Sequence, residues 1–155
     1  MTADQEVVPS QFFAHETMRT SQQEMIADGI EALSEKGSLL AAAPTGIGKT
    51  AAALASALEV VNSVHDFLHK PKILFMTGRQ SQHKIVVETV RQINSNLPRE
   101  APRVKLVDII GREGMCESVD KSTGKCSCEE DIVEKSRKDR RSDLRDKILE
   151  EPRHV

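Results

Sequence analysis

Apolar positions in this chain recur first at helical spacing, then as short continuous runs, and the two patterns alternate. From Thr20 to Lys36 the residues Met25, Ile26, Ile30 and Leu33 fall on one helical face, Glu24 and Glu31 on the other, and Gly37 ends the element. An apolar run, Ser38 to Ala43, then stops at Pro44. Ala51 to Leu68 reads as a long helix with Leu54, Ala55, Leu58, Val61, Val64 and Leu68 on its apolar face. Lys72 to Thr77 is nearly all apolar, as expected of a strand buried on both faces, and the chain reaches it through Pro71. A further helix is predicted over Ser81 to Asn96 on Ile85, Val86, Val90 and Ile93, closed by the breaker cluster Asn94 to Pro98. Val104 to Ile110 is a third strand candidate. Strands and helices alternating through short connections predict an α/β fold, a parallel sheet with helices on both faces and ligands at its carboxyl edge.

Charge divides the chain. About a fifth of the first 110 residues are charged, against about half of the last 45, so the apolar core belongs to the first part. Residues 1–11 are polar and expected to be flexible, 12–110 form the packed unit, and 111–155 are a mostly helical appendage. The formal net charge of −2 gives no global basic field, so any nucleic-acid contact must be local. No stretch reaches the roughly 18 apolar residues of a membrane helix, and Met-Thr-Ala-Asp-Gln-Glu lacks the basic-then-apolar plan of a secretory signal. A soluble protein of the cytoplasm is expected, without a membrane partner. The final residues, Glu151 to Val155, follow a helical pattern directly and read as an interruption, so the chain is expected to be the first part of a longer one.

The chemistry-bearing stretch with the clearest reading is Ala43-Pro44-Thr45-Gly46-Ile47-Gly48-Lys49-Thr50. Two glycines let the backbone turn its amides inward, the following helix adds the positive end of its dipole, Lys49 supplies a point charge for β/γ-phosphates and Thr50 a hydroxyl for Mg²⁺. ATP with Mg²⁺ is the ligand such a loop implies. The usual pattern asks for glycine where this chain has Ala43. Upstream, Arg19 and Gln22 lie at the start of the first helix. An amide there can pair with the donor and acceptor of an adenine edge; a solvent-facing helix residue would look the same. The turn Thr77-Gly78-Arg79-Gln80-Ser81-Gln82-His83-Lys84 gathers hydrogen-bond donors at a predicted strand end. Such donors suit a sugar-phosphate backbone, or simply a solvated helix cap.

Cys116, Cys126 and Cys128 are three, clustered late in the chain, which argues against a disulfide framework and for metal or redox chemistry. With Arg112, Lys121 and Lys125 nearby they suit an iron–sulfur site, which takes four thiolates. A zinc site completed by His154, or unligated thiols, are the competing readings. Arg137-Lys138-Asp139-Arg140-Arg141 could meet phosphates, but its interleaved acids favour a solvated helix.

Taken together, Arg19-x-x-Gln22, the variant phosphate loop, the Thr77 to Gln82 turn and Gly111-Arg112-Glu113-Gly114-Met115-Cys116 resemble, from about Phe12 onward, the N-terminal portion of an XPD-type superfamily 2 DNA helicase in its archaeal version. The Ala-x-x-Gly-x-Gly-Lys-Thr form is itself found in helicases and related motors. The resemblance implies a RecA-like motor domain over 12–110 and, over 111–155, the start of an inserted [4Fe-4S] domain whose fourth ligand lies outside these residues. It also implies ATP-driven 5′ to 3′ movement on single-stranded DNA, a role in DNA repair, and a monomer associated with the nucleoid. By position, Arg19 and Gln22 would meet the nucleotide base, and Pro44, Thr45, Gly46, Ile47, Gly48, Lys49 and Thr50 its phosphates and Mg²⁺, with Lys49 and Thr50 catalytic. Thr77, Arg79, Gln80, Ser81, Gln82 and Arg112 would meet DNA, and Cys116, Cys126 and Cys128 the cluster. The family spaces its middle cysteine pair by two residues, whereas Ser127 alone separates this one, so which sulfurs ligate stays open. With no Asp-Glu-x-His box in the sequence, these residues alone are expected to bind nucleotide and hydrolyse it poorly. The rival readings are a metal- and nucleic-acid-binding module with a vestigial phosphate loop, and another P-loop enzyme such as a nucleotide kinase or switch GTPase.

Overall fold

The computed structural model describes residues 10–65, 71–110, 122–123, 137–150 and 152. Four helices are present among them: α1 (Thr20–Ser34), α2 (Lys49–Ser63), α3 (Gln80–Asn96) and α4 (Arg137–Glu150).

α1 and α2 pack together, and α2 meets α3. Small residues set how closely the first pair approaches: a Cβ on Gly29 would lie 2.6 Å from Ser56 Oγ and 2.9 Å from Ser56 Cβ. The Ser56 hydroxyl donates to Ala52 O at 2.9 Å inside its own helix and lies 3.4 Å from Ile26 O of α1. The core is built from Ile26, the Ala51, Ala52, Leu54, Ala55 and Leu58 face of α2, and the Val86, Val90 and Ile93 face of α3. Phe12, Phe13 and Ala14 close it from the N-terminal side. Ser10 Oγ donates to Glu59 Oε1 at 2.6 Å and Asn96 Nδ2 to Ala14 O at 3.1 Å, which pins this arm at both ends. On α3 the inward set includes Val87, while Ile85, expected inside, stands 47% exposed.

α1 ends one residue earlier than its glycine suggests. Lys36 itself takes the left-handed conformation (φ 58°), its amide bonding Leu33 O, and the Gly37 amide reaches back to Ala32 O at 2.7 Å. That pair of bonds is the Schellman ending, which satisfies carbonyls the last turn leaves open.

The three stretches expected as strands contain no strand pairing among the described residues, so the parallel sheet is not formed there. In the second and third of them the side chains nevertheless keep the two-residue period of an extended chain. Ile73 and Phe75 are 38% and 36% exposed, Leu74 and Met76 81% each. Val104, Leu106 and Asp108 are likewise half-buried, and Lys105, Val107 and Ile109 exposed. A strand apolar on both faces needs cover on both; the described helices cover one, and Leu40 is 99% exposed. A cavity of about 1260 Å³ is lined jointly by the second and third of these stretches and by α2 and α3, while Val104 and Leu106 still reach the core. Val104 instead finds a side-chain partner: Asn94 Nδ2 donates to its carbonyl at 3.0 Å, and its amide donates to Asn94 Oδ1 at 2.8 Å.

α4 is anchored at its C-terminal end. Lys105 Nζ donates to Leu149 O in the last turn, where a cation meets the negative end of the helix dipole, and Arg91 Nε donates to Pro152 O just past that end at 2.8 Å.

Candidate functional site

The phosphate loop turns on two glycines. Gly46 and Gly48 have φ of 83° and 85°, conformations that other residues enter only with strain. Space around Gly46 is open, with nothing within 4 Å of where a Cβ would stand. At Gly48 a Cβ would come 2.4 Å from Gln22 Nε2. Gly48 also caps α2, and no side chain caps that first turn, so the leading amides of α2 face outward at the positive end of its dipole.

Gln22 ties this loop to α1. It is 5% exposed, which sets aside the solvent-facing alternative. Its Oε1 accepts from the Arg19 amide at 2.9 Å, half of a capping box at the start of α1. Arg19 Nη1 in turn donates to Gly46 O at 2.9 Å. The pair thus brackets the loop from base to apex.

Lys49 folds back over the loop, its Nζ donating to Ala43 O at 2.8 Å and Pro44 O at 2.7 Å. Those acceptors are neutral carbonyls, and a phosphate oxygen makes the stronger, charge-assisted bond. An arriving phosphate can therefore draw the ammonium off the loop without breaking an ion pair. Pro44, Thr45 and Gly46 are exposed, Ile47, Gly48 and Thr50 half-buried. Open backbone around Gly46, outward amides, a single cation and a hydroxyl fit the triphosphate and Mg²⁺ that the sequence implies.

The turn entering α3 is the second constellation. Arg79 is its N-cap (φ −124°, ψ 125°), and its amide donates to Thr77 Oγ1 at 3.3 Å. Arg79, Gln80 and Ser81 are exposed; Thr77 and Gln82 are half-buried. His83 Nδ1 lies 2.6 Å from Asp108 Oδ1, whose side chain is 6% exposed. Sequence reasoning missed Asp108. The available signal was a carboxylate on the inward period of a run whose inward residues Val104 and Leu106 are apolar.

Arg112, Cys116, Cys126, Cys128 and His154 lie outside the described residues. Among the described residues no group of three or more His, Cys, Asp or Glu side chains gathers to hold a metal ion, and no helix is long and apolar enough to cross a membrane.

No curated protein and no solved structure matches the chain. A family model does: that of the DEAD/DEAH box helicases, over residues 19–129.

Proposed function

The chain belongs to the DEAD/DEAH box helicase family, and on that premise we propose that it forms the nucleotide-binding part of an XPD-type DNA helicase, archaeal in version, that moves 5′ to 3′ on single-stranded DNA in repair. Helicases of this family act on nucleic acid with ATP and Mg²⁺. The observation that carries the reading is the loop itself: left-handed Gly46 and Gly48, the outward amides of α2, and Lys49 held only by carbonyls. In the proposed complex, Lys49 leaves Ala43 O and Pro44 O for the β/γ-phosphates, and the Thr50 hydroxyl turns to Mg²⁺. Arg19 and Gln22 stand at the base side, and Thr77, Arg79, Gln80, Ser81, Gln82 and Arg112 meet the DNA backbone.

The domain reading follows: 1–11 a flexible lead, 12–110 the first half of a RecA-like motor whose parallel sheet is completed by further strands, and 111–155 the start of an iron–sulfur domain. Cys116, Cys126 and Cys128 are proposed as three ligands of a [4Fe-4S] cluster, with a fourth from outside these residues, because thiolates beside cations suit it. A bound cluster supplies free energy of folding to a segment too polar to bury a core. The protein works as a monomer, in the cytoplasm at the nucleoid.

Nucleotide binding by the 155-residue chain tests the core of this reading. A fluorescent ATP analogue should bind with Mg²⁺, prefer adenine over guanine, and be lost on Lys49→Ala, while affinity for single-stranded DNA stays within about twofold, because the substitution removes charge at the transferred phosphate and not at the DNA surface. Guanine preference would revive the kinase or GTPase alternative, and binding indifferent to Mg²⁺ and to Lys49 would mark a vestigial loop.

A further inference from the structure

The turn proposed to meet nucleic acid is weakly held by its own residues. Its N-cap, Arg79, has no side-chain acceptor to offer the amides of α3, and the local tie is the 3.3 Å bond from the Arg79 amide to Thr77 Oγ1. The shorter tie comes from 25 residues away: His83, in the first turn of α3, meets Asp108 at 2.6 Å. Asp108 shares its inward period with Val104 and Leu106, where packing alone would select another apolar side chain. A carboxylate 6% exposed costs free energy unless it is hydrogen-bonded, and its imidazole partner stands at the point where α3 leaves the turn. With the carboxylate ionised, only an acceptor, the bond requires the imidazole proton on Nδ1.

We propose that His83 is a positioning residue for nucleic acid. By donating to Asp108 it fixes the first turn of α3, so that Arg79 and Gln82 are ordered before a phosphate backbone arrives and the cost of ordering them is not charged to binding. This rests on the reading of Thr77 to Gln82 as a DNA-facing turn, and its test separates the two.

Affinity of the full chain for fluorescein-labelled oligothymidylate is measured by anisotropy across a salt series, beside affinity for the ATP analogue. His83→Ala should weaken DNA binding about tenfold, the scale of one lost hydrogen bond to a charged group. The salt slope should stay unchanged, because the same phosphates are still neutralised once bound. His83→Asn places an amide donor near the Nδ1 position and should restore affinity to within about twofold. Arg79→Ala with Gln82→Ala should weaken binding and lower the salt slope, and adding His83→Ala to that pair should cost nothing more, since His83 acts through them. Amide exchange over 78–82 should quicken in His83→Ala while nucleotide affinity is kept. Wild-type DNA affinity in His83→Ala beside a weakened Arg79/Gln82 variant overturns the inference and leaves the turn's role standing. An Arg79/Gln82 variant that binds like wild type overturns both. If His83→Ala loses nucleotide binding as well, His83→Asn decides: an equal loss of DNA affinity there refutes positioning.

Discussion

Gly48 carries two constraints that sequence shows only in part. The glycine-lysine pattern foretells a backbone that bends to cradle a phosphate, but not that the Gln22 amide lies where a Cβ would stand. That contact joins residues far apart in the chain, and no local periodicity encodes it. Gly48→Ala should therefore do more than strain φ, which by itself costs about 1–2 kcal/mol. It must also push aside the buried Gln22 amide, which disturbs the bond its Oε1 accepts from the Arg19 amide. Gly46→Ala meets open space and carries the strain alone. Denaturant titration should rank Gly48→Ala below Gly46→Ala, and Gln22→Ala in the Gly48→Ala background should cost less than it does alone. Equal stabilities for the two alanine variants would show that the amide yields freely.

α1, α2 and α3 were legible because each has one apolar face, and packing took most of the residues that the periodicity marks. Their ends were less so. α2 begins at Lys49 because Gly48 in the left-handed region caps it directly, and it closes at Ser63, short of the predicted reach to Leu68, where Val64 turns extended and stands 43% exposed instead of packing inward; α1 closes on Lys36 because the Schellman bonds fall there. The sheet was legible only as a period of two. Alternation at 73–76 and 104–110 is kept, but backbone pairing is a property of neighbours, and Asn94 supplies for Val104 what a neighbouring strand would supply. Between helices, Gly29 against Ser56 sets the distance from α1 to α2. Gly29→Ala should cost about 1–3 kcal/mol by overpacking, read as a lower urea midpoint at unchanged slope. Ser56→Gly should recover part of it, since both the hydroxyl and its Cβ stand in the way.

At the scale of the molecule, the family match from 19 to 129 takes in the phosphate loop, the α3 turn and the three cysteines, while the iron–sulfur reading stays a proposal about residues outside those described. Anaerobically purified, the protein should on that reading be brown and hold about four irons per cluster. Cys116→Ser should bleach it and open the region after Gly111 to protease without loss of nucleotide binding, because the described core around Phe12, Ile26, Leu54 and Val90 is built from residues 12–106. Zinc in place of iron, or no metal, would refute the cluster.

The anchoring of α4 has a consequence for how such a chain can be assembled. Lys105 and Arg91 of the packed body hold carbonyls at and just past the end of α4, those of Leu149 and Pro152. With its far end held by the body, the length of chain before α4 can vary at little cost, because the entropy of closing a loop changes only slowly with its length. A glycine-serine linker in place of residues 111–136, with α4 and its two carbonyl contacts kept, should leave the melting temperature of the nucleotide-binding body within a few degrees, whereas Lys105→Ala with Arg91→Ala should release α4.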